Sequence, residues 1–172
     1  MDDLSLPEVR RLVAAANAVR WQRDASGSAG GSDPRCAERR LDALFRTSHT
    51  LAVYGTLAPG QPNHHVIAPL GGEWTDGLIE GDLLPVGWGA ALGYPGFRPR
   101  VGGEAVAVRV LIASSLASAW PTLDRFEGPG YQRILVPIFS TELGPGRVDE
   151  RRLYTVANLY AATESGPDAA SF

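Results

Sequence analysis

The sequence predicts an α+β fold: a small, mixed and mostly antiparallel β-barrel with flanking helices, preceded by an N-terminal helical extension. Three observations lead there. Hydrophobic spacing is helical over residues 1–47 and takes a strand-like period from His49 onward. The strand-like segments follow one another with one helical segment inserted before the last two, which is not the βαβ alternation of a parallel sheet. Gly- and Pro-rich connections punctuate them.

The elements follow in chain order. Leu4 to Arg23 has helical spacing, with Leu6, Val9, Leu12, Val13, Ala16 and Val19 near one face, Ser5 as N-cap and Pro7 in the first turn. Ala25-Ser26-Gly27-Ser28-Ala29-Gly30-Gly31-Ser32 has the composition of a flexible linker. Asp33-Pro34 opens a second short helix carrying Cys36, Arg39, Arg40, Leu41, Leu44 and Phe45. These helices read either as a packed extension or as an arm for homo-oligomerisation. Thr50–Tyr54 is a short buried strand. Trp74–Leu84 alternates loosely around Gly77 and Gly81, as a bent strand or a hairpin would. Pro85 to Pro99, rich in Gly, Pro and aromatics, reads as an irregular loop. Ala105–Ile112 is the clearest strand. Leu116–Phe126 is a helix capped by Ser114 or Ser115, with Pro121 either tolerated or splitting it. Tyr131–Phe139 and Arg152–Tyr160 are further strands, separated by the turn Leu143-Gly144-Pro145-Gly146 and a charged stretch to Arg152. The expected organisation is an extension over 1–47, a domain over 48–163 and a disordered tail over 164–172.

Composition narrows the function classes. A chain of 172 residues, 44% hydrophobic and 20% charged, holds one domain with a real core. Its net charge of −3 gives no reason to expect nucleic acid. All 16 basic residues are arginine, so no lysine can form a Schiff base. Cys36 is the single cysteine, which rules out an intramolecular disulfide and argues against a Cys-based zinc site. No segment reaches the roughly 18–20 apolar residues that span a bilayer. The acidic start Met1-Asp2-Asp3 lacks the pattern of a signal peptide, and a cytoplasmic location is expected.

Two segments carry chemistry. In Leu51-Ala52-Val53-Tyr54-Gly55-Thr56-Leu57 an apolar run stops at a glycine between two hydroxyl residues, and loop residues Ala58 to Asn63 follow. This reads as a strand entering a tight turn whose backbone N–H groups can hold a carboxylate, with Gly55 admitting the ligand and Thr56 adding a hydroxyl. It also reads as a plain strand end. In the second segment Glu127 sits between an apolar helix end and Gly128-Pro129-Gly130. Phe126 and Tyr131 give it apolar surroundings, which would raise its pKa toward roughly 6–7, the range of a general base. The competing reading is a solvated carboxylate paired with Arg125 or Arg133. Asp124 either shares proton work with Glu127 or pairs with an arginine. Asn63-His64-His65 invites a metal reading, but adjacent histidines on an extended segment point opposite ways and only His49 remains as a third. No serine sits in a G-x-S-x-G elbow. Trp88, Tyr94 and Phe97 border a pocket as a specificity loop, or pack as loop residues.

Together, Tyr54-Gly55-Thr56-Leu57 and Asp124-Arg125-Phe126-Glu127-Gly128-Pro129-Gly130-Tyr131-Gln132-Arg133 resemble the gamma-glutamylcyclotransferase-like family, with its AIG2-like and gamma-glutamylamine cyclotransferase branches. The resemblance covers roughly residues 49 to 162. It implies a small mixed β-barrel, a glutamyl-binding turn made of Tyr54, Gly55, Thr56 and Leu57 with Tyr131 beside it, and Glu127 as the catalytic carboxylate. It implies an acyl-transfer enzyme that needs no metal or cofactor and acts on a small gamma-glutamyl amide. The substrate's own α-amine would close a five-membered ring and release 5-oxoproline and an amine. Two other readings stay open: a non-catalytic module binding a gamma-glutamyl or other acidic small molecule, and a related amide-processing step in a biosynthetic pathway.

Overall fold

In the computed structural model the described residues are 4–22, 34–85, 95–141 and 152–163. Helix α1 spans Leu6–Gln22 and α2 spans Pro34–Phe45. Strands β1 (Thr50–Val53), β2 (Glu73–Leu84), β3 (Gly96–Pro99) and β4 (Glu104–Ile112) follow. Helix α3 (Leu116–Glu127) precedes β5 (Tyr131–Phe139) and β6 (Leu153–Ala162). The Gly/Ser linker, Trp88, Gly93 and Tyr94, the Leu143–Gly146 turn and the tail beyond Thr163 lie outside the described residues.

The strand order is β3-β2-β4-β1-β6-β5, and β5 returns to β2 through Leu78 and Phe139. Five strands therefore close on themselves, with β3 attached outside the ring on β2. All pairs are antiparallel except β1 with β6, which run parallel at Leu51 and Asn158. This is the expected small mixed barrel.

Strand alternation divides the core into three. Ala52, Ile79, Val106, Val108, Val110, Ile134, Val136, Ile138, Ala157 and Leu159 fill the inside of the barrel together with Phe97. On one outer face Leu116, Trp120 and Leu123 of α3 pack on Leu51, Val53 and Leu111. On the other, Val9, Val13 and Ala16 of α1 and Leu41 of α2 cover Leu135 and Val156. The buried stripe of α1 is the one its spacing predicts, and its start is held by Ser5, whose Oγ and N–H both donate to Glu8 Oε2.

Two readings of the sequence need correction. Residues 96–99 are not irregular: they form β3, paired from Gly81–Pro99 to Leu84–Gly96. A fully buried Phe97 and the ion pairs of Asp82 with Arg98 and Arg100 outweigh the local Gly/Pro signal. Nor is 74–84 a hairpin. It is one strand, and its glycines are there for space: a Cβ on Gly77 would lie 2.5 Å from Ile138 Cγ2, and one on Gly81 would lie 2.3 Å from the Arg98 carbonyl oxygen. Pro121 leaves α3 continuous, because Pro121 and Ala117, whose carbonyl loses its partner, are both exposed to water. Ser115 stands at the N-cap, but its hydroxyl donates to the Leu70 carbonyl at 2.6 Å instead of capping the helix. Among the described residues no helix is long and apolar enough to cross a membrane.

Helix α1 does more than cover apolar surface. Asn17, 2% exposed, donates from Nδ2 to the Leu135 carbonyl and accepts the Leu135 N–H, both at 2.8 Å. It thus completes the hydrogen bonding of β5 as a neighbouring strand would. Asn17→Ala leaves two buried backbone groups unpaired and is expected to cost about 2–4 kcal/mol. Urea unfolding measures this; a loss below about 0.5 kcal/mol would show that Asn17 has no such role.

Candidate active site

The parallel pairing of β1 with β6 places the end of β1 against the far half of β6. Residues 54–57 leave β1 there and turn back at once. Three carbonyls of this turn are held by the loop that follows: Gly55 O accepts the Ala58 N–H at 3.1 Å, Thr56 O accepts the Asn63 N–H at 3.0 Å, and Leu57 O accepts from His64 Nδ1 at 3.1 Å. In a trans peptide the next N–H points opposite to the carbonyl. The N–H groups of Thr56 and Leu57 are therefore turned away from the loop, and among the described residues neither meets a protein acceptor.

Glu127 arrives from the other side as the last residue of α3. Gly128 ends the helix with φ 72°, a conformation that suits glycine, and its N–H returns to Asp124 O at 3.1 Å. Tyr131 N–H donates to Gly128 O at 3.2 Å, and the chain enters β5. Glu127 and the Tyr54–Leu57 turn thereby line one cleft, of about 50 Å³. Ala52, Val53, Pro95, Tyr131 and Tyr160 complete its described lining. Every site residue named from the sequence (Tyr54, Gly55, Thr56, Leu57, Glu127 and Tyr131) is in this lining.

The electrostatics of the cleft are simple. Glu127 is the only charged group among the described lining residues, and no hydrogen bond or ion pair reaches its carboxylate from the described residues. Burial alone raises its pKa from 4.5 to about 7. The expected pairing with Arg125 or Arg133 does not form. Tyr54 and Tyr160 are pushed above the usual phenol range, chiefly by burial and further by the charge of Glu127, so both stay neutral. Tyr54 donates to the Tyr160 carbonyl at 3.2 Å, and its ring rests on Phe97 with centroids 5.8 Å apart.

Asp124 points elsewhere. It takes a two-point ion pair from Arg133, Nε at 2.8 Å and Nη2 at 3.1 Å, and accepts the Tyr160 hydroxyl at 2.7 Å. Burial pushes its carboxyl up, but these hydrogen bonds outweigh that and hold it below the usual range. The two carboxyls are thus driven apart, one ionised and paired, the other able to gain and lose a proton near neutrality. The dyad reading fails on this geometry. The histidines sit on a 3₁₀ turn, His64–Val66, not on an extended segment. His64 latches the turn, and His65 bonds Pro62 O. Among the described residues no three His, Cys, Asp or Glu side chains cluster as metal ligands would.

Sequence reasoning missed Tyr160, which walls the cleft, and His64 as the latch. Tyr160 lies opposite Arg133 in the β5–β6 ladder, a register that only the folded sheet reveals.

Residues 51–170 match the family described as gamma-glutamyl cyclotransferase, AIG2-like. A crystal structure of an AIG2-like protein from Mus musculus is similar in fold at 24% identity and a TM-score of 0.50, covering 69% of this chain and 80% of that one. An NMR solution structure of A2LD1 has 22% identity and a TM-score of 0.45 over the same shares. No curated protein sequence matches the chain.

The raised pKa of Glu127 has a stability consequence. Its folded value lies above the unfolded one, so its contribution to stability is whole below about 4.5 and is lost as pH rises through about 7. Glu127→Gln removes this loss. Relative to the parent, the variant is expected to gain on the order of 3 kcal/mol near pH 8 and nothing comparable near pH 4. Denaturant midpoints at the two pH values measure it, and an equal difference at both would contradict the burial of an unpartnered carboxylate.

Proposed function

The chain belongs to the gamma-glutamyl cyclotransferase, AIG2-like family, and on that footing we propose that it cleaves a small gamma-glutamyl amide to 5-oxoproline and a free amine, without metal or cofactor. The observation that carries this reading is the pairing, in one cleft, of an unpartnered carboxyl group with a pKa of about 7 and a turn that presents backbone N–H groups.

The chemistry asks little of the protein. The substrate's α-amine, once deprotonated, attacks its own γ-carbonyl carbon, and a five-membered ring closes. Intramolecular attack of this kind has effective molarities on the order of 10⁵–10⁸ M, so no side-chain nucleophile is needed. The Glu127 carboxylate takes the proton from the α-ammonium. The C–N bond to the leaving amine then breaks as Glu127 returns the proton to that nitrogen, and the ring nitrogen gives up its second proton to the departing amine, which leaves as the ammonium. One group serves as base and then as acid, which requires a pKa near neutrality rather than near 4.5. The N–H groups of Thr56 and Leu57 are suited to an anionic oxygen, either the α-carboxylate of the substrate or the developing oxyanion. Gly55 leaves the main chain open to close approach, and the rings of Tyr54, Tyr131 and Tyr160 exclude water.

Incubation with a panel of gamma-glutamyl amides, scored by mass spectrometry, is expected to yield 5-oxoproline from at least one. Glu127→Gln is expected to lower its formation by about 10²–10⁴-fold. Undiminished turnover in that variant would remove Glu127 from the reaction. Free glutamate as product would mean attack by water, and a ligand-induced thermal shift with no product would mean a binding module.

A further inference from the structure

The polar contacts that begin at Tyr160 do not end at Asp124. Arg133, gripped by Asp124 and stacked 4.6 Å over the Trp120 ring, also donates from Nη1 to Asn158 Oδ1 at 3.2 Å. The same oxygen accepts Arg20 Nη1 at 2.7 Å. Asn158 is 1% exposed, and its amide nitrogen is tied to Thr47 O at 2.6 Å, so it cannot turn away. Arg20 is 9% exposed and donates through Nε and Nη2 to Glu38 Oε1 on α2. A continuous series therefore runs from Glu38 through Arg20, Asn158, Arg133 and Asp124 to the hydroxyl of Tyr160, whose ring walls the cleft. Residues 20 and 38 precede the family match, which begins at residue 51.

A cavity of about 280 Å³ lies along this series, lined by Arg20, Glu38, Asp124, Gln132, Arg133 and the two tyrosines. Its size suits a small ligand, but its charges do not ask for one. Arg20 already faces Glu38 and Arg133 already faces Asp124, so positive and negative groups balance within the protein. The role that remains is mechanical. Partnered polar networks hold their members in one arrangement; this one is buried at Arg20 and Asn158, partly exposed at Glu38 and Asp124, and terminates on a wall of the candidate active site.

We propose that Arg20 is a positioning residue for that site: acting through Asn158, Arg133 and Asp124, it fixes Tyr160 as the wall beside Glu127, so that helix α1 governs how far water reaches the carboxyl group. The inference rests on the function proposed above for the relevance of Glu127, but its geometry stands apart from that function. It also predicts a sign. Releasing the wall admits water and lowers the Glu127 titration midpoint. Merely removing a distant positive charge would raise it. Among the described residues, the other titratable groups lining the cleft with Glu127 are Tyr54, Tyr131 and Tyr160, of which Tyr54 and Tyr160 are pushed above the usual phenol range.

The test is NMR titration of the isotope-labelled glutamate carboxyls in the full chain, with Glu127 assigned by its absence from Glu127→Gln. In Arg20→Met, which keeps the apolar stem, the midpoint is expected to fall by about one pH unit. In Arg20→Lys, which keeps the charge but loses the guanidinium fork that joins Glu38 to Asn158, it is expected to fall in the same direction by less. An unchanged or raised midpoint in folded Arg20→Met overturns the proposal. Should that variant not fold, Arg20→Lys decides by the same criterion. The titration needs no turnover. A wild-type protein that makes no 5-oxoproline would refute the function and leave this test standing, whereas an active enzyme with unshifted variants would refute the positioning alone.

Discussion

A carboxyl group held in a cleft, with no partner among the described residues, is the constraint around which this molecule is arranged. Proteins avoid such a group because ionising it away from water is costly. Here an ordinary route to relief exists close by: Arg133 lies six positions along the chain, yet it is bound to Asp124 and Asn158. Asp124 thus serves the site by occupying the arginine. The two carboxyls leave α3 one turn apart and meet opposite environments, because Gly128 ends the helix at Glu127 and the chain reverses into β5.

The barrel makes that separation possible. Because β1 runs parallel to β6, the turn at 54–57 emerges beside Tyr160 and across from the end of α3. The loop from Ala58 to Val66 then draws the carbonyls of Gly55, Thr56 and Leu57 to itself, which turns the N–H groups of Thr56 and Leu57 away from that loop. The N-terminal helices complete the same scaffold. Asn17 takes the place of a strand partner for Leu135, and Arg20 joins the polar series that reaches the cleft wall. A site built on closed strands and a turn whose carbonyls are tied to the following loop keeps its geometry while its carboxyl group stays unpaired among the described residues, an exchange of stability for function.

Much of this was legible in the residues, and the illegible parts share a cause. Runs rich in β-branched and apolar residues such as 105–112 and 131–139 identified strands, since such side chains suit a buried sheet. The switch at Tyr54-Gly55 marked a strand end, and the apolar neighbours of Glu127 foretold its raised pKa. By contrast β3 was hidden, because Gly96 and Pro99 look like loop and only Phe97, dropped into the barrel interior, argues otherwise. Gly77 and Gly81 looked like bends because their real purpose, room for Ile138 and Phe97, is a contact across the sheet. Tyr160, Asn158, Asn17 and Arg20 were illegible for the same reason: their roles are defined by partners more than 100 residues away in several cases. Local chemistry is written in order along the chain, while registers between distant strands are not.

The pH dependence of kcat/KM for a gamma-glutamyl amide tests the central claim most directly, because it reads the free enzyme's essential base. With a buried, unpartnered Glu127 in that role, activity falls as pH drops through about 7, in step with protonation of the carboxylate. A profile that stays flat down to about pH 5, with its acid limb near the ordinary glutamate value, would contradict the account.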